Sequence, residues 1–467
     1  MGIVAGGTYL PLHRLDRSRI GAALGTPGGA GTRTVAAADE DTTTLGVEAA
    51  RNALAGLASD AMPERVLFAT AEPAYLDKTN ATTIHAALGL PVSVPAYDVG
   101  GAVRSAMGAL RLADDATEPT LVVLAGLRTG LPGGADERDG GDGAVAFVVS
   151  VDTDAAQTRT LGWGAASVEF LERWRLPGET HSHQWEERFG EHAYVPLACD
   201  ALANALNAAG TSADDLDHVV VTGVHPRAAR TVARAIKVAP DKIADDLAAS
   251  VGNTGAAHAG LLLAGVLEHA TPRQKIAVLS IADGADAVVL ETTEQLGRVV
   301  PRHTLVDQIG EGKPLDSYET FLTWRGFLER EPPRRPDPVA PAAPPSLRSE
   351  DWKFGFTGSA CEACGEVHLP PARVCANCGA VDRMTPVRAA DRAATIVTFT
   401  VDRLAYTPSP PLVAAVLDFD GGGRFQCALT DVDAGTVKIG DRVEMTFRRV
   451  DTAQKVHNYF WKARPLR

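Results

Sequence analysis

Four of the six cysteines in this chain fall in two tight pairs, Cys361-x-x-Cys364 and Cys375-x-x-Cys378, with ten residues between them. A glycine follows each pair, Gly365 and Gly379, so the knuckle CxxCG occurs twice. Two such turns supply the closed tetrahedral set of thiolates that Zn²⁺ prefers in structural sites. Redox use of CxxC is the other chemistry open to such a pair, but two knuckles together fit a metal better. A site saturated by four cysteines leaves no position for water or substrate, so the zinc expected here is structural. Cys199 and Cys427 stand apart. Cys199, in the helix-like run Val195-Pro196-Leu197-Ala198-Cys199, reads as a buried, inert thiol.

No other cofactor signature is present. There is no GxGxxG at a strand-to-helix turn and no GxxxxGK[ST], so neither a Rossmann nor a P-loop reading has residues behind it. A net charge of -13 argues against a nucleic-acid surface and against docking on anionic lipid. No apolar run reaches the length of a membrane span, and Met1-Gly2-Ile3-Val4 opens a strand-like pattern without a signal h-region. Few cysteines, paired as for metal, fit a reducing compartment, and a cytoplasmic location is expected.

The elements that must hold these groups divide at Glu331–Ser346, EPPRRPDPVAPAAPPS, where nearly half the residues are proline and an extended, semi-rigid linker is expected. At 467 residues two or three domains are expected. Before the linker, apolar strand-like runs (65–70, 120–125, 145–150, 218–222, 276–281, 287–291) alternate with alanine-rich helical stretches (43–57, 82–87, 104–112, 197–208, 228–236, 256–270). That alternation is layered α/β. After it, short runs at 395–401, 412–419, 424–429 and 442–448, separated by Gly, Pro and Asp turns, suggest a small barrel.

The tail, residues 351–467, resembles the DUF35 family, a rubredoxin-like zinc ribbon preceding an OB-fold. Trp352-Lys353-Phe354, CEACGEVHLPPARVCANCG, TIVTFTVDR, Ala428-Leu429-Thr430-Asp431-Val432 and the run 437–443 carry the likeness. The resemblance implies a zinc ribbon over 351–383, an OB-fold over 384–467, and a partner of acyl-CoA enzymes instead of a nucleic-acid binder.

The region before the linker resembles 3-hydroxy-3-methylglutaryl-CoA (HMG-CoA) synthase and its ketoacyl-synthase relatives. Asp39-Glu40-Asp41-Thr42 with the run 47–54, then Gly141-Asp142-Gly143-Ala144, then Arg173 to Tyr194 match in order. The resemblance implies a thiolase-type αβαβα fold in two related halves, 1–165 and 166–330, followed by a linker over 331–350. It implies a coenzyme A thioester as substrate and a homodimer. It places the synthases' catalytic glutamate on Glu72, the histidine of an oxyanion hole on His225 in HPRA, and the asparagine of the GNT turn on Asn253. A carboxyl can shuttle a proton at the reacting carbon or oxygen, and histidine can donate to a thioester oxygen.

The departure is at the nucleophile. The family's cysteine position falls on Val103 in YDVGGAVRSA, and valine cannot be acylated. Ser105, two residues on, has no adjacent base in the sequence and is a poor replacement. The chemistry left is enolate chemistry without an acyl-enzyme: aldol addition, retro-aldol cleavage or decarboxylation. Direct acyl transfer from CoA to an alcohol or amine, with His225 as base, is a second reading. A non-catalytic thioester-binding scaffold for a partner thiolase is a third.

Overall fold

The segment His258–Leu267, HAGLLLAGVL, has almost no polar face, and a helix of that composition must be enclosed. In the computed structural model, which describes residues 2–58, 61–151, 154–334 and 338–466, eight of its ten residues are buried. It shares one core cluster with the helix Ser105–Asp114 and with inward residues of two sheets, among them Val122, Phe147, Val278 and Val288.

The first sheet runs Gly2–Tyr9, Asp142–Ser150, Thr120–Leu127, Arg65–Ala69, Ala96–Asp98. The second runs Thr158–Ala166, Ala285–Thr292, Lys275–Ile281, His218–Gly223. Read in this direction the sheets have the same topology: an antiparallel pair, a second antiparallel neighbour, then a parallel one. The second sheet also ends in a parallel bridge, Val219 to Ile243, where the first has Ala96–Asp98. The two halves are therefore a structural repeat. Along His218–Gly223, Val220 faces the central helices while Val219 and Val221 face an outer cluster built on the helix Glu187–Ala209. A strand buried on both faces reads as the continuous apolar run HVVVTG. With the helix Thr42–Leu54 packed on the first sheet, the layers are α, β, α, β, α.

Two of the elements that differ from the sequence expectation bear on the packing of the second half. The helix expected over 197–208 begins ten residues earlier, at Glu187, and carries Pro196 within it. Polar residues and a proline, which lacks the helical N–H, hide that first part from the apolar period. The strand Thr158–Ala166 is absent from the expected list because Gly162 and Gly164 give TRTLGWGAA the look of a loop. They are small because the long helix lies against them: a Cβ on Gly164 would fall 2.0 Å from the Ala201 carbonyl oxygen.

One buried carboxylate ties this unit together. Asp142, with no exposure, accepts from the backbone N–H of Ala36 at 2.7 Å and of Arg128 at 3.0 Å, and pairs with Arg33 and Arg325. This is the GDGA turn noted in the sequence.

By compactness the chain falls into two units. The first comprises residues 1–37, 41–82 and 92–325, and the second comprises 38–40, 83–91 and 326–467. In the proline-rich segment, 335–337 lie outside the described residues, and Ala343–Arg348 is a short helix where extended chain was expected. In the second unit, Thr357–Cys361, Val367–His368 and Met384–Arg388 form a three-stranded ribbon. Five antiparallel strands follow, ordered Arg424–Ala428, Leu412–Phe419, Ala394–Asp402, Arg442–Ala453, Val456–Pro465. A bridge from Leu429 to Ala463 brings the two ends together, which makes the sheet a barrel around Phe356, Phe447 and Trp461. No helix among the described residues is long and apolar enough to cross a membrane.

Candidate active site

The strand His218–Gly223 delivers His225 to the start of the helix Pro226–Ala235, where it is the N-cap. Its Nδ1 accepts from the Ala228 N–H at 3.0 Å, so in the neutral ring the proton sits on Nε2. The side chain is buried. Asn253 lies in the turn that leads into the central helix His258–Leu267. Its Nδ2 donates to the Gly223 carbonyl at 3.0 Å, and its Oδ1 accepts from the Gly255 N–H at 2.9 Å and from Arg128 Nη1 at 3.2 Å. The second Nδ2 hydrogen has no partner among the described residues. His225 and Asn253 line one cavity of about 790 Å³. Both side chains carry N–H groups, and both residues line the cavity.

The other two predicted positions sit differently. Val103 is in the turn just before the helix Ser105–Asp114, and its Cγ2 lies 3.9 Å from where a Cβ on Gly255 would be; Arg128 Cδ approaches the same point at 3.6 Å. The lost-nucleophile position therefore borders the Asn253 turn, and only a methyl group faces it. Ser105 opens the same helix, and no acid or base is hydrogen-bonded to its hydroxyl among the described residues. Glu72 follows the strand Arg65–Ala69 but does not line the cavity. It pairs with Arg175, which also donates to the Ala71 carbonyl. Burial raises the Glu72 pKa, against the pull of Arg175 and, more weakly, Arg173 and Arg128.

Sequence reasoning missed five groups here. Asp136 holds Arg128 on one side and Arg173 on the other, with Arg173 bidentate at 3.0 and 2.6 Å. Burial alone would raise the Asp136 pKa, but Arg128 and Arg173 outweigh it and the net shift is downward. This chain of charges ends on Asn253 Oδ1. Glu172, 3% exposed, lines the cavity, and the Tyr194 hydroxyl donates to its Oε2 at 3.4 Å. Burial raises the Glu172 pKa, opposed by His225 and Arg173, and burial beside Glu172 raises that of Tyr194. Residue 172 adjoins and 194 ends the stretch matched in the sequence, but nothing local marks Glu172 as facing a cavity.

In the second unit the four predicted cysteine sulfurs all lie within 4.8 Å of one another. Cys361 and Cys378 are 3.7 Å apart, Cys364 and Cys375 3.5 Å. Thiolates at Zn–S distances of 2.3 Å on a tetrahedron stand about 3.8 Å apart, so the cage fits a structural zinc ion held by all four.

Comparison with known proteins accords with this geometry. Residues 206–291 match the family described as 3-oxoacyl-[acyl-carrier-protein (ACP)] synthase III C terminal. Residues 355–382 match the ChsH2 rubredoxin-like zinc ribbon domain, and 387–448 the ChsH2 C-terminal OB-fold domain. The hydroxymethylglutaryl-CoA synthase of Pyrococcus furiosus is 26% identical over 329 residues, 68% of this chain and 93% of that protein. That of Aeropyrum pernix is 29% identical over 317 residues, 64% of this chain and 87% of that protein. Among solved structures, MvaS in complex with 3-hydroxy-3-methylglutaryl coenzyme A has a TM-score of 0.60 at 21% identity, covering 73% of this chain and 94% of its own. The synthase III FabH of Pseudomonas aeruginosa PAO1 has a TM-score of 0.55 at 22% identity, covering 63% and 98%. The chain is similar to HMG-CoA synthases and to synthase III enzymes over about two thirds of its length and shares their thiolase-type fold, and its tail matches the ChsH2-type zinc ribbon and OB-fold domains.

Proposed function

We propose that this protein makes or breaks a carbon–carbon bond next to a coenzyme A thioester, through an enolate that is never covalently attached to the enzyme. The observation that carries this reading is the pairing of His225 and Asn253 on one cavity while Val103 occupies the nucleophile's turn. Two N–H donors converging on a thioester oxygen stabilise the charge that grows there when C2 loses a proton or a C2–C3 bond opens. That stabilisation needs no thiolate. A carboxyl must then carry the proton; the resemblance to HMG-CoA synthase would give that work to Glu72, which does not line this cavity.

Aldol addition, its retro-aldol reverse and decarboxylation all pass through the same enolate. The solved relatives titled as complexes with CoA and with HMG-CoA support a thioester as the ligand. We place a homodimer in the same proposal. The strand Ala96–Asp98 ends the first sheet and presents Tyr97 to solvent, and sedimentation of the intact chain tests that pairing.

The test is incubation in D₂O with a panel of acyl-CoA and 3-ketoacyl-CoA thioesters, with C2 deuteration followed by mass spectrometry. Exchange lost in His225→Ala supports the enolate. Binding without exchange across the panel overturns it and favours direct acyl transfer or a scaffold.

A further inference from the structure

We infer that Glu172 is the group that carries the proton in this cavity, a deepening that rests on the enolate reading above. Four observations converge on it. Glu172 lines the cavity together with His225 and Asn253, whereas Glu72 does not. Glu172 and His225 meet across Gly190 of the helix Glu187–Ala209: a Cβ there would stand 2.9 Å from His225 Nε2 and 3.1 Å from Glu172 Cγ. The Glu172 side chain and the Nε2 edge of the ring therefore approach the same point. Its side-chain hydrogen-bond partner differs from that of Glu72. Tyr194 donates to Glu172 Oε2, and the tyrosine oxygen in turn accepts from the Asp283 N–H at 3.3 Å, so the contact comes from a neutral hydroxyl that is itself anchored. Glu72 is instead paired with the guanidinium of Arg175, which opposes the rise that burial gives its pKa. Finally, the backbone of Glu172 is fixed, its carbonyl accepting from the Trp185 N–H at 2.7 Å.

The titratable and charged groups that face Glu172 are His225, Arg173, Tyr194 and Asp283. Burial holds its pKa above that of an exposed glutamate, toward the working range of a general base. In the step assigned to it, the Glu172 carboxylate takes a proton from C2 of the bound thioester. The C–H bond breaks, an O–H bond forms on Glu172, and the electron pair moves through C1 to the thioester oxygen held by His225 and Asn253. Return of the proton to C2 reverses the step, and in D₂O the carboxyl exchanges before it returns. No oxidant or second reactant is required.

The experiment compares C2 deuteration by the intact protein with that of Glu172→Gln, Glu172→Asp and Glu72→Gln, across pH 4.5 to 8.5. Glu172→Gln keeps the acceptor for Tyr194 and is expected to slow exchange by about 10²- to 10⁴-fold with the acid limb of the profile abolished. Glu172→Asp, which keeps a carboxyl, is expected to retain that limb at a reduced rate, and serves if the glutamine variant does not fold. Glu72→Gln is expected to keep the limb. Exchange in Glu172→Gln within a few fold of wild type, with its acid limb intact, overturns the assignment and leaves the enolate reading standing. A wild-type protein that binds the thioesters but exchanges none of them overturns that reading, and this assignment with it.

Discussion

Arg128 Nη1 donates to Asn253 Oδ1 at 3.2 Å while its other terminal nitrogen rests on Asp136. With the Gly255 N–H also on Oδ1, the amide has one orientation: oxygen toward Arg128, nitrogen toward the Gly223 carbonyl and the cavity. Asn253→Asp keeps the acceptor side and removes both N–H donors. The new carboxylate pairs with Arg128 but sets an oxygen against the Gly223 carbonyl, so the melting temperature should fall while the fold is kept. C2 exchange, read by mass spectrometry, should fall by about 10²- to 10³-fold, the usual cost of one oxyanion donor. Wild-type exchange rates in this variant would show that Asn253 does not touch the thioester.

Val103 predicts the absence of an intermediate. Intact-mass measurement after acetyl-CoA treatment should show no acetyl adduct on the wild-type chain. Val103→Cys puts a thiol in the turn before the helix Ser105–Asp114, where backbone N–H groups favour the thiolate. That variant should gain one acetyl group. A stable adduct on the wild-type protein would contradict the non-covalent route.

Gly190 carries a steric prediction. In a helix interior, alanine is normally favoured over glycine by about 0.5–1 kcal/mol. Here the added methyl would press on His225 Cδ2 at 2.8 Å and on Nε2 at 2.9 Å. Gly190→Ala should keep its far-ultraviolet circular dichroism and lose more than tenfold in exchange rate. Activity equal to wild type would mean that the ring has room to move.

His258 sets a pH dependence of stability. Burial, with Arg128 adding to it, lowers its pKa to about 4. In the unfolded chain an ordinary histidine titrates near 6.5. Between those values the unfolded state binds the extra proton, so stability is fully present above about pH 6.5 and declines as pH falls toward 4. The loss amounts to about 3 kcal/mol at most. Urea midpoints taken across that range should drop in the wild type and drop less in His258→Gln.

Zinc removal should act on the second unit. Four thiolates on two knuckles are ordered by the ion they share, and chelation at neutral pH should unfold the ribbon. One equivalent of zinc should be released, as read by a colorimetric indicator, with loss of the tail's thermal transition. Cys364→Ser should bind the metal more weakly and behave alike.

The sequence made the layered α/β architecture and the zinc knuckles legible because both rest on short-range patterns. Runs such as 218–223 and 258–267 betray burial on both faces, and CxxCG betrays its metal by spacing alone. His225, Asn253 and Val103 were singled out through resemblance; in the structure Val103 borders the Asn253 turn, and His225 lines the same cavity as Asn253. What stayed hidden was long-range. Arg128, Asp136 and Arg173 form their chain across 37 residues of sequence and more, and each is an unremarked surface-type residue until folded. Glu172 and Glu72 have the same chemistry on paper; only burial and the company of Tyr194 or Arg175 separate them. The helix at 187–209 was obscured by its own proline.

Asp142 gives these observations a wider meaning. One carboxylate anchors the backbone of Arg128, the N–H of Ala36 and the guanidiniums of Arg33 and Arg325. Arg128 in turn sets the Asn253 amide. Positions 103 and 225, to which the proposal assigns the chemistry, lie outside this joint. Position 142 is the joint itself, because the same atom pair serves both the pocket's alignment and the unit's integrity. In directed evolution of this protein, new reactivity should therefore come from 103 and 225, and variants at 142 should be recovered as misfolded chains, not as altered enzymes.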